Sequence, residues 1–129
     1  MKTRLFLVAA SLLVFVAGVF AADLPVTPVD AAAAAALVSE KKVTVLDVRT
    51  PEEFAKGHIK GAKNVDLLDD AFEAGLSGLD KNKAYLVHCA SGGRSTRSLD
   101  VFKKLGFTKV YHLEGGLRAW TSSNQPVVE

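Results

Sequence analysis

The sequence predicts an α/β domain with a central, mostly parallel β-sheet and helices on both faces. Three apolar runs rich in β-branched residues, "KVTVLDVR", "KAYLVHC" and "FTKVYHL", have the composition of strands buried on both sides. Segments with helical character alternate with them, and this alternation is typical of βαβ units. In such sheets, ligands bind beyond the carboxyl ends of the strands.

The helical segments have recognisable starting residues. In "TPVDAAAAAALVSE" we expect Thr27 to cap the helix, Pro28 to occupy its first turn and Asp30 to favour its positive end. In "TPEEFAKG", Thr50 and Pro51 predict a second start of the same kind. Further helices are expected in "LLDDAFEAGLSGL", "STRSLDVFKKLG" and "GGLRAWTSS", and a short strand in "GAKNVDL".

The N-terminal segment has the pattern of a secretory signal peptide, residues 1–21. Lys2 and Arg4 precede the uncharged run "LFLVAASLLVFVAGVF", and small residues follow it. Cleavage after Ala21 would leave residues 22–129 as a single domain. A retained membrane anchor is the alternative, because about 18 apolar residues can span a bilayer. No cysteine lies near the cleavage site, which argues against a lipoprotein.

Export predicts a periplasmic or otherwise secreted protein that is not held in a membrane once the signal is removed. The formal charge of +2 becomes zero without Lys2 and Arg4, so a nucleic-acid partner is not expected. We expect a monomer. The chain has one cysteine, Cys89, which cannot form an intrachain disulfide. It is therefore a buried apolar residue, an intermolecular link or a free thiol kept for chemistry.

The loop after the strand "KAYLVHC" carries the chemistry. It consists of Cys89, Ala90, Ser91, Gly92, Gly93, Arg94 and Ser95. Its small residues permit a tight turn, both glycines can take positive φ, and successive N–H groups can point inward as a nest for an anion. The positive end of a helix expected to begin near Ser95, and the charge of Arg94, favour the same anion. Cys89 should therefore have a low pKa and act as a nucleophile.

Three stretches, in order along the chain, resemble the rhodanese (sulfurtransferase) family, specifically its small single-domain exported members. "LDVRTPEEFAKGHIKGAKNV" is similar to the family's first signature, "CASGGRS" to its active-site loop, and "VYHLEGGLRAW" to its C-terminal signature. The resemblance implies a rhodanese-like fold. It covers the chain from about Val43 to Trp120.

The resemblance implies that a Cys89 persulfide carries a sulfane sulfur from thiosulfate or a similar donor to cyanide or a thiol, including a protein thiol. Arg94 would orient the donor or acceptor. The backbone around the sulfur would bind the substrate and stabilise the persulfide, at Ala90, Ser91, Gly92, Gly93 and Ser95. No metal or organic cofactor is implied, because the covalent intermediate divides the transfer into two easier steps.

Polar residues in the first matched stretch are expected to be structural. Asp47, Arg49 and Glu53 should form a polar cluster where the first predicted strand ends. We expect His58 to be a hydrogen-bonded loop residue, because a thiolate formed by the loop needs no general base.

Residues beside the loop and near the C-terminus have less direct roles. His88 precedes Cys89 on a strand, so its side chain should point to the opposite face of the sheet. His112 and Glu114 should lie near the end of the last strand and line the pocket. Trp120 is expected in the core.

Two other functions remain open. Phosphatases and arsenate reductases of the same fold have a loop one residue longer, whereas four residues separate Cys89 from Arg94 here. A shorter loop suits a sulfur atom better than a tetrahedral phosphate. A non-catalytic binding domain is the second alternative, although such domains often lack the cysteine that this chain keeps.

Overall fold

A computed structural model describes residues 26–129. The predicted signal peptide, residues 1–21, lies outside the described residues. Within residues 26–129, no helix has the length and apolar composition needed to cross a membrane.

One parallel sheet organises residues 26–129, with helices in the connections. Its strands are β1 (Val26–Val29), β2 (Thr44–Asp47), β3 (Lys63–Asn64), β4 (Ala84–His88) and β5 (Lys109–Leu113). The helices are α1 (Ala31–Ser39), α2 (Pro51–Ala55), α3 (Phe72–Ser77), α4 (Gly93–Lys104) and α5 (Gly116–Ser122). The strand order is β1-β5-β4-β2-β3, and every neighbouring pair is parallel. The predicted α/β class is confirmed.

Helices cover both faces of the sheet, as predicted. On one face, Val87 of β4 belongs to a core cluster with Phe102 of α4. On the other face, Leu86 of β4 packs in a second cluster with Ala34 of α1 and Trp120 of α5. Successive strand residues thus serve opposite cores, and each large buried side chain contributes roughly 1.5–3 kcal/mol. Trp120 is a core residue, as expected.

The predicted start of the first helix is wrong. Thr27 and Pro28 lie in β1, and α1 begins at Ala31, with Asp30 as its N-cap. The Asp30 carboxylate accepts a hydrogen bond from the Ala33 N–H over 2.8 Å. Because β1 is an edge strand, a residue without an N–H group is tolerated there. The alanine run forms the helix, and the prolyl segment before it adds a strand to the sheet.

The second helix begins as predicted, with Thr50 as N-cap and Pro51 as its first residue. The Thr50 hydroxyl accepts a hydrogen bond from the Glu53 N–H at 3.3 Å. The Glu53 carboxylate accepts one from the Thr50 N–H at 3.0 Å. This reciprocal capping box holds the Glu53 side chain at the start of α2, with consequences for the site.

Candidate active site

The cysteine loop occupies the centre of the sheet's carboxyl edge. Cys89 follows β4, which lies between β5 and β2, and it is buried. Gly92 caps α4 with φ 117° and ψ −20°, a backbone conformation that is practically restricted to glycine. Gly93 is already the first helical residue and does not share the positive φ. Only Gly92 uses the positive φ that both glycines can adopt. The expected helix start near Ser95 is wrong, because the turn at Gly92 leads directly into α4.

Hydrogen-bond donors surround the sulfur of Cys89. The Gly92 N–H lies 3.1 Å from Sγ, and the Ser95 hydroxyl oxygen lies 3.4 Å from it. Burial alone would raise the pKa of the thiol. Hydrogen bonds from the Ser95 hydroxyl and from the backbone N–H groups of Ser95, Gly92 and Ser91 outweigh it and bring the pKa below its usual value. The loop thus favours a thiolate, in the direction expected from its sequence.

Arg94 does not stand free at the edge of the loop. Its Nη1 donates to Oε2 of Glu53 at 2.7 Å, and its Nη2 donates to Oε1 at 2.8 Å. The hydrogen bond from Arg94 is the main reason that the pKa of Glu53 falls to about 2. Glu53 therefore forms its ion pair with Arg94, and not with Arg49 of the expected polar cluster. The capping box at Thr50 turns the carboxylate toward the loop instead.

Asp47 and Arg49 form a structural ion pair, as expected of them. Both are buried, and the Arg49 Nε and Nη2 atoms donate to the Asp47 carboxylate at 2.7–3.0 Å. Arg49 Nη2 also donates to the Gly57 carbonyl oxygen at 2.8 Å. Asn64 Nδ2 donates to the carbonyl oxygens of Asp47 and Arg49. This network fastens the segment after α2 to the end of β2.

His88 supports the backbone of Cys89 rather than its sulfur. Its Nδ1–H donates to the Cys89 carbonyl oxygen over 2.9 Å. Its Nε2 lies 3.6 Å from Oδ2 of Asp47 and has no hydrogen-bond partner among residues 26–129. Burial lowers the pKa of His88, so the imidazole is neutral near pH 7. The expectation that His88 would not form a Cys–His pair agrees with this geometry.

The first turn of α5 holds the other side of the loop. The Leu117 N–H donates to the Cys89 carbonyl oxygen at 2.9 Å, and the Arg118 N–H donates to the Ala90 carbonyl oxygen at 3.0 Å. Gly116, with φ 60°, lies so close that a Cβ there would be 2.6 Å from the Cys89 oxygen. Sequence reasoning did not predict this contact, although the glycine pair in "EGGLRAW" is the sequence feature that permits it.

Two further histidines occupy different settings. His112 is half-buried, its Nε2 lies 2.7 Å from the Ser95 hydroxyl oxygen, and burial lowers its pKa. It therefore adjoins the loop, near where it was expected, whereas Glu114 is exposed. His58 stacks on Phe54, and its Nδ1 lies 2.9 Å from the Phe54 carbonyl oxygen, as expected of a structural loop residue.

A shallow cavity of about 200 Å³ borders the loop at Ala90. Its other lining residues are Arg49, Leu117, Arg118 and Thr121. Arg49 is engaged by Asp47, whereas Arg118 is exposed and forms no ion pair with any described residue. Across residues 26–129, no group of three His, Cys, Asp or Glu side chains is placed to hold a metal ion.

Fold and loop together define a parallel α/β domain with a cysteine sulfur that accepts hydrogen bonds at the carboxyl edge of its sheet. The model of the rhodanese-like domain matches residues 30–123. The chain therefore belongs to the rhodanese-like domain family.

Relatives in this family include named sulfurtransferases. The chain is 39% identical over 95 residues to thiosulfate sulfurtransferase 16, chloroplastic, of Arabidopsis thaliana, covering 63% of this chain and 76% of that protein. It is 32% identical over 83 residues to thiosulfate sulfurtransferase GlpE of Pseudomonas aeruginosa, covering 64% and 74%. A probable adenylyltransferase/sulfurtransferase, MoeZ of Mycobacterium tuberculosis, is 36% identical over 90 residues. That match covers 70% of this chain but only 23% of MoeZ.

Solved structures agree in fold. A rhodanese-related protein from Thermoplasma volcanium superposes with a TM-score of 0.71 at 32% identity, covering 78% of this chain and 96% of that chain. A rhodanese-like domain protein from Staphylococcus aureus gives a TM-score of 0.65 at 32% identity, covering 73% and 90%. The predicted rhodanese-like fold is confirmed.

Proposed function

We propose that this protein is a sulfurtransferase that moves a sulfane sulfur from thiosulfate or a similar donor to cyanide or a thiol through a Cys89 persulfide. The observation that carries the proposal is the ring of donors around Sγ, with the Gly92 N–H at 3.1 Å and the Ser95 hydroxyl at 3.4 Å. These donors stabilise an anionic sulfur. The named sulfurtransferases among the relatives support the same activity.

The first half-reaction loads the enzyme. The Cys89 thiolate attacks the outer sulfur of thiosulfate, a new S–S bond forms, and the S–S bond of the donor breaks. Sulfite leaves with the electron pair of that bond, and Cys89 becomes a persulfide anion. Backbone N–H groups of the loop, between Ala90 and Ser95, stabilise the terminal sulfur in place of the thiolate.

The second half-reaction returns the thiolate. Cyanide, or the thiolate of a small molecule or protein acceptor, attacks the terminal sulfur. The S–S bond of the persulfide breaks, its electron pair returns to Cys89, and thiocyanate or an acceptor persulfide leaves. Neither step needs a metal or an organic cofactor, because sulfur serves as nucleophile, carrier and leaving group.

Arg94 and Arg118 have different electrostatic roles in this proposal. Arg94 uses both terminal nitrogens on Glu53, so it holds the loop in shape and reinforces the positive potential around the thiolate. Arg118, exposed beside the cavity at Ala90, attracts the anionic donor toward the loop. This assignment transfers part of the donor-orienting role, expected of Arg94 from the sequence, to Arg118.

The proposal also includes the localisation, partners and oligomeric state of the protein. The signal-like segment, residues 1–21, supports a periplasmic or otherwise secreted protein, and the balanced charge of the remainder supports small-molecule and thiol partners rather than nucleic acid. We propose that the protein works as a monomer.

Intact-protein mass spectrometry tests the proposal. The purified protein is reduced, incubated with thiosulfate and weighed beside Cys89→Ser. Gain of one sulfur atom by the wild type alone, and its release as thiocyanate on adding cyanide, is the expected result. A reduced, accessible Cys89 that gains no sulfur from thiosulfate, polysulfide or a persulfidated thiol would contradict it and favour a binding domain. Hydrolysis of an aryl phosphate dependent on Cys89 would instead favour a phosphatase.

A further inference from the structure

The hydroxyl group of Ser95 lies between two partners that compete for its single proton. Its oxygen is 2.7 Å from His112 Nε2 and 3.4 Å from Cys89 Sγ. Ser95 is fully buried, so its hydroxyl cannot turn to bulk water. The direction of this one O–H bond decides whether the sulfur receives a side-chain hydrogen bond.

A third neighbour of the Ser95 hydroxyl is already engaged. The Gly92 carbonyl oxygen lies 3.1 Å from Ser95 Oγ. That carbonyl also accepts hydrogen bonds from the N–H of Thr96 at 3.0 Å and from its hydroxyl at 2.7 Å. Because a carbonyl oxygen has two lone pairs, the Thr96 bonds leave it little capacity. The choice for the Ser95 proton therefore lies between the sulfur and the imidazole.

The tautomer of His112 determines whether the sulfur or the imidazole accepts the Ser95 proton. If Nε2 carries no proton, it accepts the Ser95 hydroxyl proton and the sulfur loses this donor. If Nε2 carries the proton, it donates to Ser95 Oγ, and the Ser95 O–H is left to donate to the sulfur. Two hydrogen bonds then run in series from His112 through Ser95 to Cys89.

We propose that His112 is a positioning residue for the nucleophile: as the Nε2–H tautomer it orients the Ser95 hydroxyl toward the Cys89 thiolate. The inference rests on the proposed function for its purpose, but the hydrogen-bond chain exists in the resting protein. No proton is transferred along it. As a donor to Ser95 Oγ, His112 leaves the Ser95 proton no acceptor but the sulfur and polarises the hydroxyl toward it.

The charges around His112 are consistent with a neutral donor. Burial lowers the pKa of His112, the Glu114 carboxylate raises it, and His88 of the neighbouring strand lowers it, with a net lowering. The Cys89 thiolate lies beyond Ser95, and its negative charge would oppose this lowering. The imidazole therefore stays neutral near pH 7, and the thiolate favours the Nε2–H tautomer, because only that tautomer supplies it with a hydrogen bond.

Titration of the thiol tests the inference without requiring sulfur transfer. Cys89 is the only cysteine in the chain, so thiolate absorbance near 240 nm reports its ionisation alone. We expect Ser95→Ala to raise the thiol pKa by about one pH unit, the usual size for one lost hydrogen bond to an anion. His112→Leu should raise it by less, because the Ser95 O–H keeps the sulfur as its acceptor but loses the donor that polarises it. The double variant should raise it no further than Ser95→Ala alone.

A conservative variant separates positioning from packing. The amide of His112→Gln can place an N–H group near the position of Nε2, so its thiol pKa should stay close to that of the wild type. His58→Gln, in a loop histidine that contacts Phe54 instead of the active site, is the matched control and should change nothing. Nitrogen-15 NMR of the wild type should show His112 as the Nε2–H tautomer once Cys89 is ionised.

The outcomes are separable from those of the sulfur-transfer assay. A thiol pKa that is unchanged or lower in His112→Leu, or an Nδ1–H tautomer beside an ionised Cys89, would overturn the inference even if the protein transfers sulfur. A fall would mean that Nε2 had been accepting the Ser95 proton. The expected pKa shifts in a protein that accepts no sulfur would retain the inference and contradict the proposed function. If His112→Leu fails to fold, the NMR tautomer and the His112→Gln titration decide.

Discussion

The Glu53 carboxylate binds both terminal nitrogens of Arg94, at 2.7 and 2.8 Å, although the two residues are 41 positions apart in the chain. The pair joins the first turn of α2 to the cysteine loop across the carboxyl edge of the sheet. The capping box at Thr50 holds the carboxylate in place from behind. Glu53 thus holds the loop in place through Arg94, whereas the sequence pattern indicated only a polar cluster.

This pair predicts how stability depends on pH. The pKa of Glu53 falls from 4.5 to about 2 on folding, so its contribution is fully present above about pH 4.5 and is lost as the pH falls through 2. We expect Glu53→Gln to be less stable than the wild type at pH 6, by about 1 kcal/mol for a partly exposed pair. The difference should vanish near pH 2.

Urea unfolding between pH 2 and pH 6 measures the effect. Glu52→Gln removes a neighbouring carboxylate from the same turn of α2 and is the matched control. A gap between wild type and Glu53→Gln that persists unchanged at pH 2 would show that the charge of Glu53 is not what stabilises the loop.

The two adjacent glycines of the loop should respond oppositely to substitution. Gly92 has φ 117°, where a side chain is strained, so Gly92→Ala should cost about 1–3 kcal/mol and raise the thiol pKa by displacing the N–H that faces Sγ. Gly93 is helical, and a Cβ there would meet nothing within 4 Å. Gly93→Ala should be neutral or slightly stabilising. Thermal unfolding and thiol titration of both variants check this; equal losses would contradict it.

Close approach of α5 to the loop predicts a severe effect at Gly116. A Cβ there would lie 2.6 Å from the Cys89 oxygen and the Ala90 carbonyl carbon, which is backbone that cannot move aside without shifting the loop. Gly116→Ala should therefore lose roughly 1–3 kcal/mol of stability and most sulfur-loading activity. Gly78→Ala, where a Cβ meets nothing within 4 Å, is the control. Full activity in Gly116→Ala would refute the close fit.

The role proposed for Arg118 predicts a change in apparent affinity. Arg118→Gln should raise KM for thiosulfate several-fold and leave kcat nearly unchanged, because the residue attracts the donor without touching the sulfur of Cys89. The difference should shrink as salt concentration rises. Arg97→Gln removes an exposed arginine from α4 and should have little effect. A fall in kcat at constant KM would place Arg118 in the chemical step instead.

Local features of the site were predictable from the sequence, because strand, turn and helix follow one another without a break. The apolar run of β4, the small residues after Cys89 and the helix beyond them all lie within one short segment. The start of α1 was not predictable in this way. A threonine and a proline before an alanine run fit a helix start, and nothing local shows that Thr27 and Pro28 pair with β5 instead.

The missed contacts depend on tertiary placement. His112 adjoins the loop because the register of the sheet sets it beside Val87 of β4, so the end of β5 meets the end of β4. Glu53 reaches Arg94 only because β2 lies on the other side of β4 and α2 begins directly after it. Neither strand order nor register is encoded in the residues around Cys89. The sequence therefore indicated His112 near the pocket but could not pair it with Ser95, and it could not pair Glu53 with Arg94.

The amide of Gly92, 3.1 Å from the Cys89 sulfur, also provides a built-in spectroscopic reporter. Its proton chemical shift depends on the charge density of the atom it faces, so thiol, thiolate and persulfide should give three different resonances at one backbone site. A nitrogen-15-labelled sample could then be followed through loading and discharge in real time, without a dye or a coupled assay. The residue that shapes the turn would report each sulfur atom as it arrives and departs.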